Sequence, residues 1–451
     1  MKRFLLSVVA LVVASIALAQ SPEAIREQIR QYPNLSLITH ARYPSYLVGD
    51  IAETPKGFTP FYFSLAGRHG SRYQTETKDT RKIQAVFAKA DSLGILTELG
   101  KRLHQQLTTI KEVQKGHDGE LTPLGYEQWL GIAHRAYERF TPIFSDGSIR
   151  SASSNVLRCV FSMTAFNQGI KERNPQIEIS QSAQYVERPI VLPMTNGDKL
   201  PKALAKIQQA EVKALCQQKR NVWNKNCDAS TFISKVTTDS ERLMKECGGK
   251  DGWRVLRYTI DVLGLAENFD AGNQELFLEL FTPEDMYDFY VYRSLSWALN
   301  LAARGLELTE AATYSVHTMV EDILSKAEAA IEGKNPHRAD LRFSHDTHIA
   351  PLISVLAFEG FTPTYHEDAE TIATSTFLSR CIPMAANVQI VLYRDAKGKV
   401  YARALLNEHD MTLPIKCKTA PFYPWEQFRS HIEKNMQLLA TSRKNFVEKH
   451  K

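Results

Sequence analysis

Apolar and polar positions change their spacing twice along this chain, and the changes predict its organisation. Phe61-Tyr62-Phe63-Ser64-Leu65 is apolar and alternating, which predicts a strand. Helical spacing follows over 80–93 and 99–113. Leu121-Thr122-Pro123-Leu124-Gly125 opens a further helix, with Thr122 as N-cap and Pro123 in the first turn. A short strand over 148–151 precedes a helix over 155–168. Val156, Val160 and Met163 share one face of that helix, and Gly169 is expected to end it. Strands alternating with helices predict an α/β fold with a mostly parallel sheet flanked by helices.

From about residue 200 to 333 the spacing becomes almost purely helical. Thr282-Pro283-Glu284-Asp285 is a strong helix start, and Gly305 is expected to stop that helix. Another helix is expected over 309–331, closed by Gly333. Strand signals resume at Leu341-Arg342-Phe343. Runs over 388–393 and 400–405 flank Asp395-Ala396-Lys397-Gly398, which reads as a hairpin. The expected division is a signal peptide over 1–19, an α/β core over 20–195 and 336–451, and an inserted all-helical cap domain over 196–335.

The first residues change the picture of where the chain works. Lys2 and Arg3 precede an apolar run to Leu18, and Ala17-Leu18-Ala19 is a small-x-small cleavage site. The expectation is a protein exported to the periplasm or beyond, with no stable membrane insertion. Losing Lys2 and Arg3 lowers the formal charge from +5 to +3, and no basic stripe with interleaved aromatics argues for nucleic acid. The six cysteines suggest disulfides as local staples, one among Cys216, Cys227 and Cys247 and one between Cys381 and Cys417, with Cys159 a buried thiol.

The chemistry concentrates in two short clusters. Arg68-His69-Gly70-Ser71-Arg72 follows the first strand. Guanidinium forks match phosphate oxygens, an imidazole is a nucleophile near neutral pH, and glycine lets the backbone approach an anion. Ser344-His345-Asp346-Thr347-His348 follows the resumed strand and opens a helix carrying Ile349, Leu352, Ile353 and Leu356. A strand end that meets a helix start favours an anion. Asp346 can protonate a leaving alkoxide if a nearby dianion raises its pKa. Arg158, near the start of the helix after 148–151, is a candidate third cation on the phosphate, and Arg150 a weaker one.

These residues resemble the histidine acid phosphatases, the clade of acid phosphatases, phytases and multiple inositol polyphosphate phosphatases. The family's Arg-His-Gly-x-Arg-x-Pro motif resembles residues 68–74, with Gln74 in place of the proline. Its late His-Asp motif resembles His345-Asp346, with Ala350-Pro351-Leu352 close behind. Its Leu-Thr-x-x-Gly-x-x-Gln start resembles 121–128, and Asn407-Glu408 is also similar. The resemblance implies a phosphoglycerate-mutase-like core under an inserted helical domain that shapes specificity. It implies His69 as a nucleophile forming phosphohistidine, and Arg68, Arg72, Arg158 and His345 as phosphate-binding groups. Asp346 would be the proton donor, Ser71 and Thr347 candidate substrate contacts, and no metal or other cofactor would be required. Ser71-Arg72-Tyr73 resembles the inositol polyphosphate branch, which carries His-Ala-Glu where this chain has His345-Asp346-Thr347. The resemblance thus implies a small phosphate monoester as substrate, either an inositol phosphate or a sugar phosphate. Two other readings of the clusters are a non-catalytic phosphate or inositol-phosphate binder and a metallohydrolase using His345, Asp346 and His348.

Overall fold

The computed structural model describes residues 21–451 apart from 46–47, 50, 76–77, 197–198, 224–226, 362–363, 377–379 and 381. The expected leader over 1–19 and Cys381 therefore lie outside the described residues. Its centre is one mixed eight-stranded sheet: β1 (Thr59–Arg68), β2 (Ser148–Ser153), β3 (Glu178–Ser182), β4 (Ala339–Ser344), β5 (Asn387–Arg394), β6 (Val400–Leu406), β7 (His409–Asp410) and β8 (Tyr423–Pro424). Their order is β3-β2-β4-β1-β5-β6-β7, with β8 on β6. The first four strands are mutually parallel. β5 runs antiparallel to β1 and forms the expected hairpin with β6.

Helices cover both faces. In chain order the longer ones are α1 (Pro22–Gln31), α2 (Lys78–Ser92), α3 (Glu98–Gln114), α4 (Pro123–Arg139), α5 (Leu157–Arg173), α6 (Lys202–Trp223), α7 (Gly252–Ala266), α8 (Pro283–Leu301), α9 (His317–Ile331), α10 (Asp346–Leu356) and α11 (Trp425–Lys449). The period of two in β1 sends Phe63 and Leu65 to one face, where they join Trp129 of α4, Phe166 of α5 and Phe343 of β4. Tyr62 and Ala66 point to the other face. The core there runs continuously into the apolar side chains of α7, α8 and α10. No helix among the described residues is long and apolar enough to cross a membrane.

Several expected boundaries move for identifiable reasons. α5 does not stop at Gly169. A Cβ there would come within 2.7 Å of Ala133 Cβ, so this glycine lets α5 lie close against α4. α8 begins with the expected capping box of Thr282 and Asp285, but ends at Leu301, and Gly305 turns in the connection beyond it at φ +73°. The helix expected over 309–331 is broken by a 3-10 turn at Tyr314–Val316, and before it the Thr309 and Thr313 hydroxyls donate to the Leu299 and Leu301 carbonyls at the end of α8. The segment 22–43, which carries no clear spacing signal, packs α1 and a 3-10 turn onto α8. No disulfide links two described cysteines, so the expected middle pair is not formed.

A buried ionic network ties β1, β2 and β4 to α9. Arg342, fully buried, donates to Asp322 Oδ2 at 2.7 Å and to Ser64 Oγ at 3.0 Å. Arg150 reaches Glu187 at 2.8 Å and Asp322 at 3.5 Å, and Tyr62 donates to Asp340 at 2.8 Å. This use of Arg150 removes it from the list of phosphate-binding candidates. Removing one partner of a buried pair strands a charge in low dielectric. Asp322→Ala should therefore lower the urea unfolding free energy by ~3–5 kcal/mol. Lys245→Ala, which breaks an exposed pair with Glu241, should change it by less than ~1 kcal/mol. Comparable small losses in both variants would show that the network does not hold the sheet.

Candidate active site

The register of β1 and β4 assembles the site. Arg68 is paired with Ser344, so the residues that leave the two strands, His69 and His345, emerge side by side at one sheet edge. Their ring centroids lie 5.5 Å apart. β2 is the other neighbour of β4, and α5 rises from its end, which brings Arg158 to the same edge. The structure thus gathers Arg68, His69, Arg72, Arg158, His345 and Asp346 from three separate stretches of chain.

Arg68 is fully buried. Its Nη1 donates to the Thr39 carbonyl at 2.7 Å and the Ile382 carbonyl at 2.9 Å. Its Nη2 forms an ion pair with Asp346 Oδ2 at 2.8 Å. The indole of Trp129 donates to the Arg68 carbonyl at 3.0 Å, fixing the strand end to α4.

His69 Nδ1 lies 2.8 Å from the Gly70 carbonyl. A carbonyl only accepts, so the proton sits on Nδ1 and Nε2 keeps its lone pair. Burial, reinforced by Arg68, Arg158, His345 and Arg72, holds this imidazole well below the usual histidine range. A neutral imidazole with a free Nε2 is the form that attacks an electrophile.

The loop behind it is packed at backbone contact. A Cβ on Gly70 would fall 2.3 Å from the Gly125 carbonyl oxygen, and one on Gly125 would fall 2.2 Å from the Ser71 carbonyl oxygen. The two glycines let the motif lie directly on the start of α4. Thr122 caps that helix and also donates through Oγ1 to the Ser71 carbonyl at 3.0 Å. Gly70 N donates to Ser162 Oγ at 3.0 Å.

Two expectations about this loop change. Ser71 was a candidate substrate contact, yet it is fully buried. Its hydroxyl donates to Asn268 Oδ1 at 2.7 Å and accepts from Gln128 Nε2 at 2.9 Å, so it ties the loop to the helical stretch. Gln74 in place of the motif's proline is expected to leave the loop less rigid, yet its backbone holds the loop by hydrogen bonds. Its N–H donates to Gln114 Oε1 at 2.9 Å, and its carbonyl accepts from Gly119 N at 2.7 Å. Proline could not supply the first of these.

Arg72 is nearly buried and donates to the Tyr73 carbonyl at 2.8 Å. Burial and the neighbouring Arg68 push its guanidinium down to about 9, so three cations crowd one place. Among the described residues Arg158, in the first turn of α5, reaches only the Gly119 carbonyl, at 3.4 Å.

His345 stands at the N-cap position of α10 but makes no capping bond, and its Nε2 lies 3.4 Å from Ser154 Oγ. Burial and Arg158 push it down to about 4. Behind it Cys159 Sγ donates to the Ser344 carbonyl at 3.1 Å and lies 3.7 Å from His345 Nε2. Burial raises this thiol to about 11, so it stays protonated. His348, buried, follows 5.9 Å behind the His345 ring. Thr347, the other candidate contact, is partly exposed and lies 3.3 Å from His348 Nδ1. Among the described residues no group of three or more His, Cys, Asp and Glu side chains has metal-site spacing.

Asp346 faces opposing influences without a bound anion. Burial alone would raise its carboxyl, but Arg68, Arg72 and His345 outweigh burial and hold it below the usual carboxylate range. The raising dianion belongs to the substrate, so the unliganded protein keeps this group ionised. Among supporting residues, Asn268, Ser162, Thr39 and Ile382 carried no sequence signal. Gln128 stood in a quoted motif without a role.

The chain belongs to the histidine phosphatase superfamily (branch 2), whose model matches residues 66–407. It is a phosphomonoesterase by class. Its fold is similar to that of the multiple inositol polyphosphate phosphatase of Bifidobacterium longum, solved with inositol hexasulfate. The TM-score is 0.70 at 18% identity, over 88% of this chain and 97% of that one. The D. castellii phytase gives 0.57 at 15% identity over 90% and 86%, and the Citrobacter braakii phytase 0.52 at 13% over 84% and 98%. No curated protein sequence matches the chain.

A histidine kept neutral in the fold but free to protonate when unfolded stabilises fully above its unfolded pKa. For His345 that stability should be lost as pH falls from 6.5 to about 4. Thermal melts of phosphate-free protein should therefore fall between about pH 6.5 and 4, and less steeply in His345→Gln. Parallel profiles for the two proteins would refute the shift.

Proposed function

We propose that this protein hydrolyses phosphate monoesters through a phosphohistidine on His69, with inositol phosphates as the leading substrate class and sugar phosphates as the alternative. The observation that carries the proposal is the His69 tautomer: Nδ1 is committed to the Gly70 carbonyl, and Nε2 is free beside Arg68, Arg72, Arg158 and His345. The substrate class rests on the likeness to a phosphatase solved with inositol hexasulfate and to phytases.

The arginines take the phosphoryl oxygens and neutralise the charge that a metal would otherwise carry. His345 donates an N–H to a further oxygen. Nε2 of His69 attacks phosphorus, the P–N bond forms and the P–O ester bond breaks. Asp346 gives its proton to the departing alkoxide. The dianion engages Arg68 and Arg72 and opposes ionisation of Asp346, which reverses the balance of the unliganded site. In the second half Asp346 takes a proton from water, water oxygen attacks phosphorus, and the P–N bond breaks. His69 is restored and inorganic phosphate leaves. The helical stretch over 196–335, read as an inserted cap, covers this site through Asn268 and narrows the choice of ester. The leader over 1–19 directs export, so the work is done in the periplasm or outside the cell.

Phosphate release from p-nitrophenyl phosphate with EDTA present tests the class: this mechanism needs no metal and should be unaffected. His69→Ala should abolish turnover with an unchanged circular dichroism spectrum, and turnover like that of the wild type would remove the nucleophile assignment. Asp346→Asn should slow alkyl phosphates by ~10²–10⁴-fold and aryl phosphates much less, because a phenolate needs little proton donation. Equal slowing of both would count against the donor role. A panel of phytate, glucose phosphates and nucleotides ranks the substrates.

A further inference from the structure

Glu408 is a carboxylate that no step above uses, yet it is only 1% exposed. Arg135 of α4 donates to it twice, at 2.9 and 2.7 Å, and Arg139 Nη1 lies 3.4 Å away. Tyr43 donates its hydroxyl to the same carboxylate at 2.8 Å. The backbone here is strained. Asn407 and Glu408 both have positive φ, 50° and 69°. Non-glycine residues in that region cost roughly 1–3 kcal/mol each and persist only where their surroundings over-determine them.

The surroundings lead back to the catalytic edge. Asn407 exchanges two bonds with Asn387, through its Oδ1 and its N–H, both at 2.8 Å. Asn387 Nδ2 donates to the Tyr43 hydroxyl at 3.2 Å. One corner therefore pins both Tyr43 and Asn387. These residues end the two segments that aim Arg68. Tyr43 follows Thr39, whose carbonyl takes one bond from the Arg68 guanidinium, and Asn387 follows Ile382, whose carbonyl takes another. Met384 N donates to the Ala41 carbonyl at 2.9 Å, joining the segments to each other. Ala385 N donates to the His69 carbonyl at 2.9 Å, and the Ala386 carbonyl accepts from Arg68 N at 2.7 Å. Apart from the 3-10 turn over Pro33–His40 and Asn387 at the start of β5, neither segment belongs to a helix or strand.

We propose that Glu408 is a positioning residue for phosphoryl transfer. Held between Arg135 and Tyr43, it fixes the two carbonyls that orient Arg68, and through the Arg68–Asp346 pair it fixes the proton donor. This inference rests on the catalytic reading given above. Its physical basis is that a displacement of order 1 Å at a reacting group costs up to about 10²-fold in rate.

Glu408→Gln keeps the shape of the corner and removes its charge. Tyr43→Phe keeps the Arg135–Glu408 pair and removes the two bonds of the Tyr43 hydroxyl, to Glu408 and from Asn387. Expected for Glu408→Gln is a kcat lowered by about 10- to 100-fold with KM changed by less than about 3-fold. Tyr43→Phe should show a smaller drop of the same kind. In both, alkyl phosphates should lose more rate than p-nitrophenyl phosphate, since a misplaced Asp346 matters most for the poorer leaving group. A purely structural corner would lower the melting temperature while leaving kcat per folded molecule and the alkyl-to-aryl ratio unchanged, and that result overturns the proposal. If Glu408→Gln does not fold, Tyr43→Phe decides by the same ratio. His69→Ala is assayed alongside: if it turns over, the catalytic reading fails, whereas an inactive His69→Ala with a fully active Glu408→Gln defeats this inference alone.

Discussion

The buried ion pair between Arg68 and Asp346 joins the ends of two neighbouring parallel strands, and the arrangement of the site depends on it. It exists because β1 and β4 are paired with Arg68 opposite Ser344. The next residue on each chain is then a histidine, and the one after His345 is the acid. A slip of one position would send every side chain of β1 to the opposite face, exchanging Phe63 and Leu65 for Tyr62 and Ser64 in the core. The packing of Trp129 and Phe343 against that face therefore protects the pairing that makes the chemistry. Two backbone carbonyls accept from the arginine's Nη1, which offsets part of the cost of burying the pair.

The same cations impose opposite demands on their neighbours. Together with burial, the larger cause, they drive the imidazoles of His69 and His345 toward the neutral state, which suits attack and hydrogen bonding. They also hold Asp346 ionised, which does not suit a proton donor. An anion carrying two negative charges resolves the conflict, because it spends the arginines' field on itself.

Rigidity near the motif comes from backbone contact more than from side chains. Gly70 and Gly125 permit an approach that any Cβ would block. Gln74 then secures the following turn with an amide proton that proline lacks. Ser71 spends its hydroxyl on Asn268 and Gln128, linking the loop to the helical stretch that overlies it. The strained pair Asn407-Glu408 braces the opposite wall.

Much of this was legible in the order of residues. The alternation of 61–65, the Thr122 cap, the Thr282 box and the hairpin around Asp395 are local matters, and local periodicity and capping report them faithfully. The two polar clusters were recognisable because their residue types suit phosphate wherever they stand. The sequence could not say that Arg150 is consumed by Asp322 and Glu187, that Ser71 faces inward, or that Gly169 sits within a helix to admit a neighbour. Each is decided by a partner distant in the chain. It also could not give the state of Asp346 or the tautomer of His69, because fields and burial are sums over the folded neighbourhood. Composition and spacing determined which groups were available and where strands and helices begin. Only the pairing of β1 with β4 decided which of them meet, since contact between remote segments is fixed by how faces pack and not by their order.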